Sequence, residues 1–127
     1  MLNEMIASGQ AVLTKRLESV NERIRNSAER AGRDPASITL VAVSKTQPAE
    51  SVAALAAAGQ LDFGENRIEE AGPKMLGLQS DTRLRWHMIG HVQSRKARDV
   101  AHAGFAQVHS VDSLRLARRL SSVRRAR

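Results

Sequence analysis

The sequence contains no cysteine and no tyrosine, and only one tryptophan and two phenylalanines among its 127 residues. Without cysteine the chain has no disulfide framework, no thiolate nucleophile and no cysteine-ligated zinc, so we expect a cytoplasmic protein. The first ten residues include Asn3, Glu4, Ser8 and Gln10, which leave no apolar core for a signal peptide. No later stretch approaches the roughly 20 apolar residues of a membrane span. We therefore expect a soluble protein without a membrane partner.

The shortage of aromatic residues also argues against a surface that binds nucleic acid. The formal net charge is +7, from 20 basic and 13 acidic residues. Six arginines lie within residues 113–127, which contain no acidic residue, so the rest of the chain is nearly neutral. Single-strand binding usually combines a basic groove with aromatic side chains on which bases stack. We therefore do not expect a nucleic-acid partner. A basic RNA-binding module stays open as an alternative, which rests on the arginines of residues 113–127 alone.

Hydrophobic periodicity predicts a leading amphipathic helix followed by alternating strands and helices. Apolar residues recur at helical spacing from Leu13 to Ala28, and Gly32 with Pro35 ends the pattern. Four short apolar segments are predicted strands, the first of them buried, and each precedes a short helix. The predicted strands are residues 38–44, 61–65, 85–90 and 105–111. This alternation with short loops is typical of a parallel sheet, either open or curled into a barrel, in a single domain.

Two of the predicted helices follow residues that are suited to capping. Asn66, with Glu69 three positions later, suggests a cap for the helix after the second strand. Asp112 or Ser110 suggests a cap for the last helix. Glu69 and Glu70 fall in the first turns of a helix, where capping and solvation explain carboxylates better than acid–base catalysis does.

Lys45 stands at the carboxyl end of the apolar segment 38–44. Alternate side chains of a strand share a face, so Lys45 should project on the same side as Val41 and Val43. An amine at the end of an apolar face is partly desolvated, which favours the neutral form that attacks an aldehyde. The segment therefore predicts a Schiff-base lysine, for which pyridoxal phosphate is the natural aldehyde. The alternative is a lysine that marks the strand end and extends its amine into water.

Polar residues flanked by glycine follow the other predicted strands, at the ends where function gathers in βα folds. His87 and His91 lie four residues apart, but Gly90 separates them and no third ligand is evident, so we predict no metal site. His87 is expected to pack or form hydrogen bonds near this rim. The sequence contains no phosphate-binding glycine loop, no dinucleotide fingerprint and no nucleophile elbow.

Four segments, in this order, resemble the motifs of the pyridoxal phosphate homeostasis protein family: VAVSKT (41–46), FGEN (63–66), WHMIGHVQS (86–94) and VHSVDS (108–113). The resemblance spans nearly the whole chain. It implies a (β/α)8 barrel like the N-terminal domain of alanine racemase, which holds pyridoxal phosphate as an aldimine at the carboxyl ends of its strands. Lys45 falls on the family's cofactor lysine. The resemblance also places four further residues near the cofactor pocket: Asn66, His87, Ile89 and Ser110.

The resemblance implies a role in intracellular pyridoxal phosphate homeostasis, as a carrier or regulator with no reaction of its own, and PLP-dependent apoenzymes as possible partners. The rival is a racemase or decarboxylase of related fold, which needs a second acid or base that the sequence does not reveal. Arg67 and Arg95 stand where many family members have tyrosine and asparagine.

The length of the chain departs most from the family pattern. A (β/α)8 barrel typically needs about 250 residues, and its phosphate site usually lies in the loops after strands 7 and 8. We therefore expect residues 1–127 to form a single, incomplete domain: the first half of a TIM-type barrel with a leading helix. Such a half would carry the cofactor lysine without the phosphate loops.

Overall fold

A computed structural model describes residues 2–125, with side chains from Gly9 to Val123. Helices and strands alternate along the chain after a long first helix. In order, the elements are α1 (Leu2–Arg30), a 3-10 turn (Pro35–Ser37), β1 (Ala42–Val43), α2 (Ala49–Ala57), β2 (Asp62–Glu65), α3 (Ile68–Gly77), β3 (Arg85–Met88), a second 3-10 turn (Ser94–Lys96), α4 (Ala97–Ala103), β4 (Gln107–Val108) and α5 (Leu114–Arg125).

The four strands form one parallel sheet in the order β1-β2-β3-β4. Each strand pairs with the next one in the sequence, and a helix connects each pair. This sequential order is the one found in (β/α) barrels. In doubly wound sheets, by contrast, the order of the strands reverses at a switch point. The prediction of parallel βα repeats is confirmed. β1 and β4 are the edges of the sheet, because within residues 2–125 each has a neighbouring strand on one side only.

The two edge strands are much shorter than the apolar segments predicted. Residues 38–44 yield a strand of only Ala42–Val43, and residues 105–111 yield Gln107–Val108. The carbonyl of Leu40 accepts a hydrogen bond from the Gln60 side chain at 2.6 Å, in place of a ladder partner. The prediction that 38–44 is a buried strand was wrong in extent and in burial, since Val43 is 54% exposed. An edge strand has half its pairing and half its neighbours missing, which the hydrophobic pattern cannot show.

The core lies between the sheet and its helices. One cluster of buried residues joins α2, α3 and the first face of the sheet, with the Phe63 and Trp86 rings 5.8 Å apart. A second cluster, which includes Met88 and Leu116, joins β3 to α4 and α5. Because side chains alternate along a strand, residues between these core positions project from the opposite face, here called the inner face. Asp62 and His87 therefore lie on the inner face.

Both predicted caps were assigned to the wrong residue. The position before α3 is occupied by Arg67, which makes no side-chain cap hydrogen bond, so Asn66 is not the cap. α5 is capped by Ser113, whose Oγ accepts from the Leu116 amide at 3.1 Å. Ser110 is committed elsewhere, because its hydroxyl donates to the Gly90 carbonyl at 2.5 Å.

The leading helix packs against α2 through one face, on which Leu17 and Ala28 are buried. Within residues 2–125, none of the helices combines the length and the apolar character needed to cross a membrane.

Candidate functional site

Lys45 lies in the loop between β1 and α2, two residues after the strand ends, and its side chain is exposed. The expectation of a partly desolvated amine was wrong for the described residues. Val43, which precedes Lys45 on the same face, is itself more than half exposed. β1 is an edge strand, so in the described part of the chain no strand lies beside it on one side to shield Val43 and Lys45 from solvent.

Ser44, immediately before Lys45, is held by two hydrogen bonds to β2 and one from α3. Its amide donates to the Gly64 carbonyl at 2.9 Å, and its hydroxyl lies 3.1 Å from Glu65 Oε2, to which it donates. Its own carbonyl accepts from Lys74 Nζ at 2.7 Å. Ser44 is 4% exposed, so these are interior contacts. The residue that carries the amine therefore follows a rigidly held neighbour.

Lys74 is a buried cation between two carboxylates. Its Nζ lies 2.7 Å from Glu65 Oε1 and 3.2 Å from Glu70 Oε1. The side chains of Lys74 and Glu65 are 7% and 1% exposed. Burial of charges is tolerated when they are paired and hydrogen-bonded, as these are through Ser44. The cluster links β2, α3 and the loop that carries Lys45.

Thr46, immediately after Lys45, has an unusual backbone conformation. Its φ is 63°, the one positive value for a non-glycine residue within the described range. A β-branched residue in the left-handed region is strained, and such strain persists only where neighbouring contacts hold it. Here the Thr46 amide donates to Glu70 Oε1. This hydrogen bond, followed by the one from Lys74, lowers the pKa of the Glu70 carboxyl from its ordinary 4.5.

The inner face carries a second polar network, built around Asp62 and His87. Asp62 Oδ1 lies 2.9 Å from His87 Nε2, and Arg85 contacts both carboxylate oxygens, at 2.9 and 2.6 Å. His87 Nδ1 lies 2.9 Å from His109 Nε2. The Arg85 hydrogen bond lowers the pKa of Asp62 from 3.8 and the His87 contact adds to it, although burial opposes both. With Asp62 ionised, His87 Nε2 donates to it, and a neutral His87 then accepts from His109 at Nδ1.

The ends of β2, β3 and β4 meet at Gly90. A Cβ built on Gly90 would lie 2.1 Å from the Asn66 carbonyl oxygen, so only glycine fits there. The Gly90 carbonyl accepts the hydrogen bond from Ser110 described above. One level deeper, Ile89 lies over Gly64, where an added Cβ would be 3.0 Å from Ile89 Cδ1.

The structure therefore places four of the five predicted residues in the loops that follow the carboxyl ends of the strands. Asn66 and Ile89 follow their strands directly, and Ser110 is the second residue after β4, whereas His87 lies within β3. Asn66 and Ser110 both lie against Gly90. Lys45 occupies the corresponding loop after β1. Their roles toward a cofactor stay predictions.

Sequence reasoning missed the groups that support these residues. Lys74 and Asp62 were not singled out, and Glu70 was explained as a solvated helix carboxylate. The signal for Lys74 was the spacing Glu70–Lys74, which puts both side chains on one face of α3. The signal for Asp62 was a carboxylate at the start of an otherwise apolar strand. Neither signal indicates which residue of another element it meets.

Comparison with known proteins gives sequence relatives at high identity, although no family model matches the chain. The pyridoxal phosphate homeostasis protein of Pseudomonas aeruginosa is 48% identical over 116 residues, which cover 91% of this chain and 50% of that protein. The protein of the same name from Escherichia coli K12 is 46% identical over 112 residues, which cover 87% of this chain and 47% of that protein. The chain spans about half the length of these curated relatives.

Two solved structures resemble the chain over similar portions. PipY from Synechococcus elongatus, determined with PLP bound, is 40% identical with a TM-score of 0.72, over 87% of this chain and 47% of PipY. An unknown protein from Bifidobacterium adolescentis is 32% identical with a TM-score of 0.82, over 92% of this chain and 50% of its own. PipY has a TIM-barrel fold, so the predicted half of a (β/α)8 barrel is confirmed. As the four motifs predicted, the chain is a relative of the pyridoxal phosphate homeostasis proteins that corresponds to about half of such a protein.

Proposed function

We propose that the chain binds pyridoxal 5′-phosphate covalently through Lys45 and serves intracellular homeostasis of that cofactor. The names of the relatives and the PLP bound to PipY support the choice of cofactor. The observation that carries the residue assignment is the placement of Lys45. Its amine is exposed while Ser44 before it and Thr46 after it are both held by hydrogen bonds. An accessible amine on a fixed backbone favours covalent capture of an aldehyde.

The other three lysines of the chain are less suited to this role. Lys74 is buried between Glu65 and Glu70, and Lys96 pairs with Glu69. Lys15 is exposed on α1, a helix that precedes the first strand, and so it does not follow the carboxyl end of any strand directly. Pyridoxal phosphate supplies an aldehyde carbon when bound. The neutral Lys45 amine would form the new N–C bond at that carbon, and the carbonyl oxygen would leave as water, so the linkage needs no oxidant.

Asn66, His87, Ile89 and Ser110 are the further residues that would surround the cofactor. Ile89 would supply an apolar contact to a ring lying over Gly64. His87 would present a ring that Asp62 and His109 hold in one orientation. Ser110 is fixed by its hydrogen bond to Gly90, so it would shape the rim.

An amino-acid racemase or decarboxylase is the second candidate, and the Asp62–His87–His109 network is the observation in its favour. A carboxylate that orients an imidazole is a common acid–base arrangement. Both ring nitrogens of His87 are already occupied within the network, however, at 2.9 Å each. We therefore favour a carrier or regulator, with PLP-dependent apoenzymes as recipients and a cytoplasmic location. The RNA-binding alternative gains no observation, since it still rests on the arginine-rich end.

Site-resolved trapping tests this proposal. Incubation with pyridoxal phosphate should give the absorbance band of a lysine-linked cofactor, and borohydride should fix the mass adduct on the peptide that contains Lys45. Lys45→Ala should abolish band and adduct together. Lys15→Ala is the matched control, because it removes the other exposed lysine and should change neither. An adduct of equal yield in Lys45→Ala would overturn the assignment. Turnover of an amino acid that depends on His87 would move the protein to the enzyme class.

A further inference from the structure

The loop that carries Lys45 is clamped by two side chains of α3. We propose that Glu70 and Lys74 are positioning residues that fix the backbone on both sides of Lys45 and so aim its amine. This inference rests on the proposed function, because it concerns the same lysine. Its structural basis is the set of contacts that these two side chains make with Ser44 and Thr46.

Lys74 holds the side that precedes Lys45. Its Nζ donates to the Ser44 carbonyl at 2.7 Å, while Glu65, 2.7 Å from the same nitrogen, also accepts from the Ser44 hydroxyl. Both the carbonyl and the hydroxyl of Ser44 are thus engaged by one ion pair. Since this pair is almost fully buried, water competes little for its contacts.

Glu70 holds the side that follows Lys45. Glu70 Oε1 accepts from the Thr46 amide and also lies 3.2 Å from Lys74 Nζ. This one oxygen therefore links the contacts on the two sides of Lys45. Thr46 adopts a positive φ that its branched side chain disfavours, which means that the free loop would prefer another conformation. The hydrogen bond to a charged acceptor offsets that preference. Without it, we expect the backbone after Lys45 to relax.

The ion pairs also explain selectivity between the two lysines that lie close to this loop. The Lys74 side chain is only 7% exposed and its Nζ is enclosed by two carboxylates and the Ser44 carbonyl, so an aldehyde cannot reach it. Lys74 is therefore kept out of the reaction while it supports the loop from which Lys45 projects.

The test compares Glu70→Ala and Glu70→Gln with Glu69→Gln. Glu69 is the neighbouring carboxylate on α3 and pairs with Lys96 and Arg67, so it serves as the matched control. The first readout needs no cofactor: hydrogen exchange of the Thr46 amide should be about tenfold faster in Glu70→Ala, the effect of losing one hydrogen bond to a charged acceptor. Glu70→Gln keeps an acceptor oxygen and should lie between wild type and Glu70→Ala. Glu69→Gln should match wild type.

The second readout is where pyridoxal phosphate becomes fixed. Glu70→Ala should shift borohydride-trapped adduct from Lys45 toward Lys15 while the melting temperature stays close to wild type, whereas a general loss of stability would lower the melting temperature first. Unchanged exchange at Thr46 in Glu70→Ala overturns the positioning role, whatever the cofactor does. Absence of any adduct in wild type overturns the proposed function, and the exchange data still decide whether the clamp exists.

Discussion

The carboxylate of Glu65 lies 2.7 Å from the ammonium of Lys74, and both side chains are almost completely buried. The pair joins the end of β2 to the middle of α3 and, through Ser44, to the end of β1. A buried charge pair fixes the positions of the groups it contacts more surely than it adds net stability, because each ion loses its hydration on folding. Here the group whose position is fixed is Ser44, the residue before Lys45.

Removing one member of this pair should be costly. Lys74→Met leaves the buried Glu65 carboxyl without its cationic partner, so we expect a loss of about 3–5 kcal/mol in the free energy of unfolding. Urea denaturation measures it. Arg83→Met is the matched control, because the pair of Arg83 with Asp81 is at the surface and its removal should change the free energy of unfolding far less. The double variant Glu65→Gln, Lys74→Met should recover part of the loss. Equal costs for Lys74→Met and Arg83→Met would show that the buried pair is not structurally important.

Gly90 should tolerate no side chain. In Gly90→Ala the new Cβ would meet the Asn66 carbonyl oxygen at 2.1 Å, so the loops after β2 and β3 must move apart. We expect a destabilisation of at least about 2 kcal/mol, within the range of overpacking. Gly72→Ala is the control, since an added Cβ there meets nothing within 4 Å on α3. That change should stabilise the protein by about 0.4–1 kcal/mol. Thermal melts should show a lower melting temperature for Gly90→Ala and a higher one for Gly72→Ala. A Gly90→Ala protein as stable as wild type would contradict the close approach of Gly90 to the Asn66 carbonyl.

The βα order was predictable because hydrophobic period and turn residues are local properties of the sequence. Lys45 could be singled out as a candidate for the same reason, as a cation that directly follows an apolar segment, and its role stays a prediction. The Glu65–Lys74 and Asp62–His87 pairs were not predictable. The first depends on how α3 packs on the sheet, and the second on the register of β2 and β3. The short edge strands were missed because pairing partners, which decide strand length, do not appear in the hydrophobic pattern.

Stability should fall on acidification through the Asp62 network. The folded pKa of Asp62 lies below its ordinary 3.8, chiefly because of the Arg85 hydrogen bond. A lowered carboxyl pKa means that its contribution is present in full above about pH 4 and disappears as the pH falls through the folded value. Asp62→Asn should therefore be less stable than wild type at pH 7 and should show a flatter stability profile over the acid range below about pH 4. Denaturation across that range is the measurement. Glu22→Gln, at an exposed position on α1, should leave the slope unchanged. Parallel slopes for Asp62→Asn and wild type would exclude the network as the origin.

Self-association should follow from the two exposed strand edges. β1 and β4 each lack a neighbour on one side, and unpaired edges of a parallel sheet invite pairing with another chain. In a two-fold dimer, β4 of one copy could pair with β1 of the other, and eight parallel strands would then close. We expect the isolated chain to dimerise or aggregate in light scattering. Val43→Lys, which places a charge on the exposed edge, should shift it toward the monomer, whereas Val12→Lys, on a comparably exposed position of α1, should not.

We also expect weaker cofactor binding than in a chain extended to the length of its relatives, because covalent capture alone lacks the charge-assisted contacts of a phosphate site. A monodisperse wild-type monomer that binds pyridoxal phosphate as tightly as the longer chain would show that four βα units are sufficient.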